Sequence, residues 1–114
     1  MSFWRKELID FALDQDTSAR MDEQKAWIAA EPAHARPYYQ LAMLYRMIHK
    51  RDEALGLLLH AVSLDDNLTP AHTALCEMYV ASGDLRRARH HATRAAELGD
   101  AGAVNQLNRY QPPD

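Results

Sequence analysis

Residues 38–61, YYQLAMLYRMIHKRDEALGLLLHA, and residues 72–95, HTALCEMYVASGDLRRARHHATRA, decide the fold, because the second stretch repeats the first at an offset of 34 positions. Small residues stay small between the two stretches, and one tyrosine is kept. The matching pairs are Tyr38 with His72, Leu41 with Leu75, Ala42 with Cys76, Tyr45 with Tyr79, Ala54 with Ala88, Leu58 with Ala92 and Ala61 with Ala95. A period of this length that encloses two helical patterns is typical of a stacked helical repeat, and it favours a binding scaffold over an enzyme core.

The spacing of apolar residues predicts an all-α fold, with no strand pattern long enough to count. A polar segment at residues 14–18 separates the first two helices, Pro32 ends the second, and Gly83 supplies a left-handed residue between two later helices. The pattern predicts about seven helices, at about residues 3–13, 19–30, 37–49, 52–64, 70–81, 85–98 and 101–110.

Composition limits the chain to one small globular domain. It has 114 residues, of which 47% are apolar and 25% charged, close to the average for folded domains. The net charge of -3 argues against a polyanionic partner. A single cysteine, Cys76, excludes an intrachain disulfide and disfavours a zinc site, so we expect neither a metal nor a cofactor.

The sequence also predicts neither a signal peptide nor a membrane-spanning segment. Charged residues interrupt residues 1–11, where a signal peptide needs an apolar run. The longest nearly apolar run, residues 54–62, is far shorter than the roughly 20 residues that span a bilayer. We therefore expect a cytoplasmic protein without a membrane partner.

The residues at the 34-residue period resemble those of the tetratricopeptide repeat family, a helix-turn-helix unit with large and small residues at fixed packing sites. The resemblance is carried by Tyr38, Leu41, Ala42, Tyr45, Ala54, Leu58 and Ala61, and less completely by their counterparts in the second stretch. It divides a single domain into a degenerate repeat or N-terminal cap (1–34), two repeats (35–68 and 69–102) and a C-terminal capping helix and tail (103–114). It implies a right-handed superhelical stack of antiparallel helix hairpins.

The resemblance also implies a function. Members of this family commonly bind a peptide or helix of another protein in a shallow concave groove, without catalysis. Carried over by repeat position, the groove residues are Arg36, Tyr39, Met43, Arg46, Met47, Thr73, Glu77 and Val80. Tyr39 and Met43 stand where the family's carboxylate-binding clamp needs polar donors, so we expect no such clamp. The alternative is that the methionines fill the core and the arginines are simply solvated.

One pair of residues resembles a catalytic arrangement. His72 and Cys76 lie four apart on one predicted helix, where an imidazole can activate a thiol. Both occupy packing positions of the repeat, so the structural interpretation is favoured and no enzyme activity is expected. His90 and His91 are adjacent and point about 100° apart on a helix, so we expect the other histidines not to assemble.

Two further partners stay open. The predicted helix 85–98 is rich in arginine, with residues Arg86, Arg87, Arg89 and Arg94, which raises nucleic acid as a weaker alternative. Exposed ends of a helical stack can also join two copies of one chain. Such a homodimer would use Phe3, Trp4 and Trp27 at one end, or Leu107 and Tyr110 at the other.

Overall fold

The computed structural model describes residues 2–109, with side chains from residue 15 onward. These residues form six helices joined by short connections. The helices are α1 (Ser2–Ala30), α2 (Ala35–Met47), α3 (Arg51–Leu64), α4 (Thr69–Ala81), α5 (Leu85–Glu97) and α6 (Gly102–Arg109). Helices α2 and α3 pack as one hairpin and α4 and α5 as a second, with α1 against α2 and α6 against α5. The predicted all-α stack of hairpins is confirmed.

The 34-residue period is visible in the helices themselves. Helices α2 and α4 begin at residues 35 and 69, and α3 and α5 begin at residues 51 and 85, so both pairs are 34 residues apart. The turn inside each hairpin contains a left-handed residue at the same repeat position, His49 with φ of 63° and Gly83 with φ of 83°. The role predicted for Gly83 is confirmed. His49 adopts the same turn although a side chain disfavours it.

The first part of the chain differs from the prediction. Residues 14–18 were expected to separate two helices, but they lie inside α1, so six helices are found in residues 2–109 instead of about seven. The reason is that residues 1–31 contain neither glycine nor proline, so nothing in the backbone forces a break. The ion pair between Arg20 Nε and Asp16 Oδ2, at 3.1 Å, links successive turns across the polar segment.

Close helix contacts depend on small residues. The alanines that occupy the helix crossings are fully buried, among them Ala42, Ala54, Ala88 and Ala92. Because an alanine has only one side-chain carbon, two helix axes can approach closely at such positions. Leu58 and Leu75 are also fully buried and fill the space between the helices.

The C-terminal helix closes the stack. Asp100 Oδ1 accepts a hydrogen bond from Gly102 N at 3.0 Å and so caps α6. Ala103 and Leu107 lie one turn apart on α6 and join the buried core. None of the helices, as far as they are described, is long and apolar enough to cross a membrane.

Candidate functional site

A groove of about 390 Å³ lies between α4 and α6. It is lined by Thr73, Cys76, Glu77, Val80, Asp100, Gly102, Ala103, Gln106 and Leu107. We call this surface the α4–α6 groove. Its floor is apolar and buried, and its rim carries exposed polar side chains. Such a combination suits an amphipathic ligand, which covers the floor and keeps its polar groups at the rim.

The α4–α6 groove connects to helix α2 through an ion pair. Arg46 Nη1 on α2 lies 3.1 Å from Glu77 Oε2 on α4. An ion pair this exposed contributes only about 0 to 1 kcal/mol to stability. It places a side chain of α2 beside the rim of the groove.

The residues predicted for a groove fall into three groups. Thr73, Glu77 and Val80 line the α4–α6 groove, and Arg46 is tied to it through Glu77. On α2, Tyr39 and Met43 are half-buried and pack against the core, whereas Met47 is 62% exposed. Arg36 lies in a separate depression with Ala33, His34, Ala35, Leu64, Asp65 and Leu68. The core-filling alternative thus describes Met43 better than Met47.

The sequence did not predict any groove residue on α6. Gln106 and Leu107 line the groove, although residues 103–114 were assigned a capping role and Leu107 a possible role in self-association. The sequence feature that could have indicated these residues is the spacing of Ala103 and Leu107. They lie one helical turn apart and mark one apolar face on a short final helix. Only packing against α4 shows that the residues beside this face form a groove wall.

Cys76 lies at the floor of the groove and is buried. Burial, and then the nearby Glu77 carboxylate, raise the pKa of its thiol, while Arg89 acts weakly in the opposite direction. A raised pKa keeps the thiol protonated at neutral pH, which is the opposite of what a nucleophilic cysteine needs. Cys76 therefore acts as a small apolar residue.

The ring of His72 meets His91 instead of Cys76. The two Nδ1 atoms are 3.1 Å apart, and both rings are buried. His72 Nε2 lies 2.9 Å from the carbonyl oxygen of Asp66. Because a carbonyl only accepts, His72 Nε2 carries the hydrogen, and in the neutral pair His91 Nδ1–H donates to His72 Nδ1.

The expectation that the histidines would not assemble was wrong. His91 also stacks on Tyr79, with ring centroids 5.8 Å apart and an angle of 10° between the planes. Burial, followed by the charges of His72 and His90, lowers the pKa of His91 to about 4, against a smaller opposite effect of Asp66. His72 and His91 are 19 residues apart and on different helices, so no local spacing could reveal the pair.

The arginines of α5 are largely engaged with neighbouring side chains. Arg94 contacts Asp66 at 2.7 Å and Glu97 at 3.0 Å, and Arg87 contacts Asp84 at 2.7 Å. Arg89 donates to Asn108 Oδ1 at 3.1 Å. These carboxylates offset much of the positive charge that suggested nucleic acid as a partner.

The structure describes the surroundings of two of the residues proposed for self-association. Leu107 is buried in the core and lines the groove, so it is not an exposed end. Trp27 is half-buried, and its Nε1 donates to Glu31 Oε2. The side chains of Phe3 and Trp4, and all of Tyr110, lie outside the described residues.

Thr73 gives a direct test of the packing at the groove wall. Its hydroxyl is buried, and no described residue accepts or donates a hydrogen bond to it. Thr73→Val is therefore expected to raise the free energy of unfolding by about 1 kcal/mol, because valine has the same shape without the unpaired hydroxyl. Urea denaturation followed by circular dichroism measures this difference. A less stable valine variant would show that the hydroxyl is hydrogen-bonded in solution.

Comparisons with known proteins support the fold. No protein-family model and no curated protein sequence matches the chain. Among solved structures, MamA of Desulfovibrio magneticus RS-1 is 29% identical with a TM-score of 0.66, the alignment covering 83% of this chain and 53% of that one. A further crystal structure of MamA is 21% identical with a TM-score of 0.68 and coverages of 89% and 56%.

A third similar structure comes from a secretion system. The type III secretion translocator chaperone SycD of Yersinia enterocolitica is 17% identical with a TM-score of 0.63, and the alignment covers 94% of this chain and 77% of that one. MamA and SycD are both tetratricopeptide-like proteins, so the chain has a tetratricopeptide-like helical-repeat fold. It spans just over half the length of the MamA structures.

Proposed function

We propose that this chain is a non-catalytic protein-binding scaffold that holds a peptide or helix of another protein against the inner surface of α2, α4 and α6. The observation that carries the proposal is the α4–α6 groove, with its apolar floor and polar rim. The similarity to MamA and to the translocator chaperone SycD supports a protein-binding role in general.

The partner would contact more than the groove alone. Arg46 and Met47 extend the surface onto α2, where Met47 is exposed and its flexible thioether adapts to different apolar side chains. Tyr39 and Met43 support that surface from below, since both pack against the core. Arg36 would contact only a partner long enough to reach the separate depression at the start of α2.

The proposal can be tested by filling the groove with a large side chain. Gln106 is exposed and lines the groove, so Gln106→Trp places an indole there without disturbing the core. Peptides selected from a phage-displayed random library on the unmodified protein are expected to bind this variant at least about tenfold more weakly, a loss of about 1.4 kcal/mol. Isothermal titration calorimetry with the synthetic peptides measures the change.

The chain offers a closely matched control. Asn105 is the neighbouring residue on α6, is also exposed, and does not line the groove. Asn105→Trp should bind the same peptides as the unmodified protein does. If no peptide can be selected, or if Gln106→Trp binds every selected peptide normally, the groove is not a peptide-binding site and the proposal fails.

A further inference from the structure

The charged residues that line the α4–α6 groove all have one sign. Its nine lining residues include two carboxylates, Glu77 and Asp100, and no lysine, arginine or histidine. Glu77 is already paired with Arg46 across the surface, at 3.1 Å. One oxygen of Asp100 accepts from Gly102 N, which leaves the carboxylate its negative charge and a second oxygen for a ligand.

The floor between these carboxylates is apolar. Cys76, Ala103 and Leu107 are buried, and Val80 is half-buried beside them. Burial is the main cause of the raised pKa of the Cys76 thiol, Glu77 adds to it and Arg89 opposes it, so the Glu77 carboxylate is close enough to act on the floor. A ligand group in the groove therefore meets an apolar surface and a negative field together.

Few protein side chains suit both features. A lysine or arginine has an aliphatic stem that covers apolar surface and a cationic end that stays near the rim. A glutamate would be repelled by the Asp100 carboxylate, whereas Glu77 is already paired with Arg46. A purely aliphatic side chain would cover the floor but would provide no partner for the Asp100 carboxylate at the rim.

We propose that the α4–α6 groove binds a basic residue of the partner peptide, with its stem on Cys76, Ala103 and Leu107 and its cationic end beside Asp100 and Glu77. This specificity rests on the proposed function, because it describes how a bound peptide is chosen. It assigns to Asp100, which also caps α6, a second role as the principal charge that selects the ligand.

The test uses synthetic peptide libraries that differ at one fixed central position. That position is lysine in the first library, norleucine in the second and glutamate in the third, with all other positions random. Norleucine keeps the aliphatic stem and lacks the charge. The lysine library is expected to be retained on the immobilised protein at least about fivefold more than the norleucine library at low salt, and the glutamate library least of all.

A pair of variants separates charge from structure. Asp100→Asn keeps a side-chain oxygen that can cap α6 and removes the charge. Asp65 is the matched control, because its Oδ1 accepts from Asn67 N at 3.0 Å in a similar local bond, and it lies in the separate Arg36 depression, which a peptide confined to the groove does not contact. Asp100→Asn should reduce retention of the lysine library to the level of norleucine, and Asp65→Asn should leave the lysine preference intact.

The outcomes distinguish this inference from the proposed function. If peptides bind and Gln106→Trp blocks them, but lysine is not preferred to norleucine and glutamate, the groove binds peptides and the basic specificity is wrong. A lysine preference that survives Asp100→Asn also contradicts the inference. If none of the libraries is retained, both the proposed function and the basic specificity fail.

Discussion

Leu58→Ala is expected to lower the free energy of unfolding by about 3 to 5 kcal/mol. Leu58 lies on α3, is 0% exposed and belongs to the buried cluster that includes residues of α2, α4, α5 and α6. Truncation removes its buried methyl groups and leaves a cavity that the surrounding helices fill only in part. Because small domains are stable by only about 5 to 15 kcal/mol, this loss is a large part of the total.

The neighbouring leucine is the control for this prediction. Leu59 is the same type of residue and the next one on α3, but it is 39% exposed. Leu59→Ala is expected to cost less than about 1 kcal/mol. Urea denaturation of the three proteins, followed by circular dichroism, measures both differences. Equal losses for the two variants would show that α3 does not present Leu58 to the core.

Acidification from pH 7 to pH 4.5 is expected to destabilise the protein by about 2 to 3 kcal/mol through His91 alone. The pKa of His91 is lowered from its ordinary 6.5 to about 4, chiefly by burial and then by the nearby His72 and His90. At a pH between these two pKa values, His91 of the unfolded chain binds a proton that His91 of the folded chain does not. The stabilisation is therefore complete above about pH 6.5 and is lost as the pH falls towards 4.

The structure explains why protonation of the His91 ring is unfavourable. The two Nδ1 atoms, 3.1 Å apart, share one hydrogen in the neutral pair. When His91 takes up a proton, its buried ring carries a charge beside His72, with Tyr79 stacked on one face. Asp66 favours that charge, but less than burial opposes it.

Two glutamine variants isolate the contribution of His91. His91→Gln keeps an amide donor for His72 Nδ1 and does not titrate, so its stability should vary by about 2 to 3 kcal/mol less than that of the unmodified protein over this pH range. His90 is the exposed neighbour and only the third cause of the lowered pKa of His91, so His90→Gln should keep most of the pH dependence. Urea denaturation series at pH 7, 6, 5 and 4.5 measure the slopes. Identical slopes for the two variants would contradict the assignment to His91.

The helical repeat could be predicted from the sequence because its signals are local and recur. Apolar spacing located α2 to α5, and the offset of 34 residues matched the starts of the hairpins. The error in α1 has a local cause as well. Polar residues at 14–18 resemble a connection, yet without glycine or proline they continue a helix as well as they end one.

The candidate site could be predicted only in part. Thr73, Glu77 and Val80 were identified because the repeat position fixes which face of α4 points inward. The wall on α6 could not be identified in the same way, since that helix belongs to no complete repeat. Arg36 occupies an equivalent face of α2 in the sequence pattern, but the structure places it in a different depression.

The sequence by itself determined that this protein is a stack of helix hairpins and which small and aliphatic side chains of the repeat pattern are buried, because helix periodicity and the 34-residue period are properties of neighbouring residues. Tertiary structure alone decided that His72 meets His91, that Arg46 meets Glu77, and that α6 packs on α4 to form a groove. The physical reason is that each of these contacts joins residues on different helices. Their distance depends on how the helices pack, and no local pattern in the chain encodes that distance.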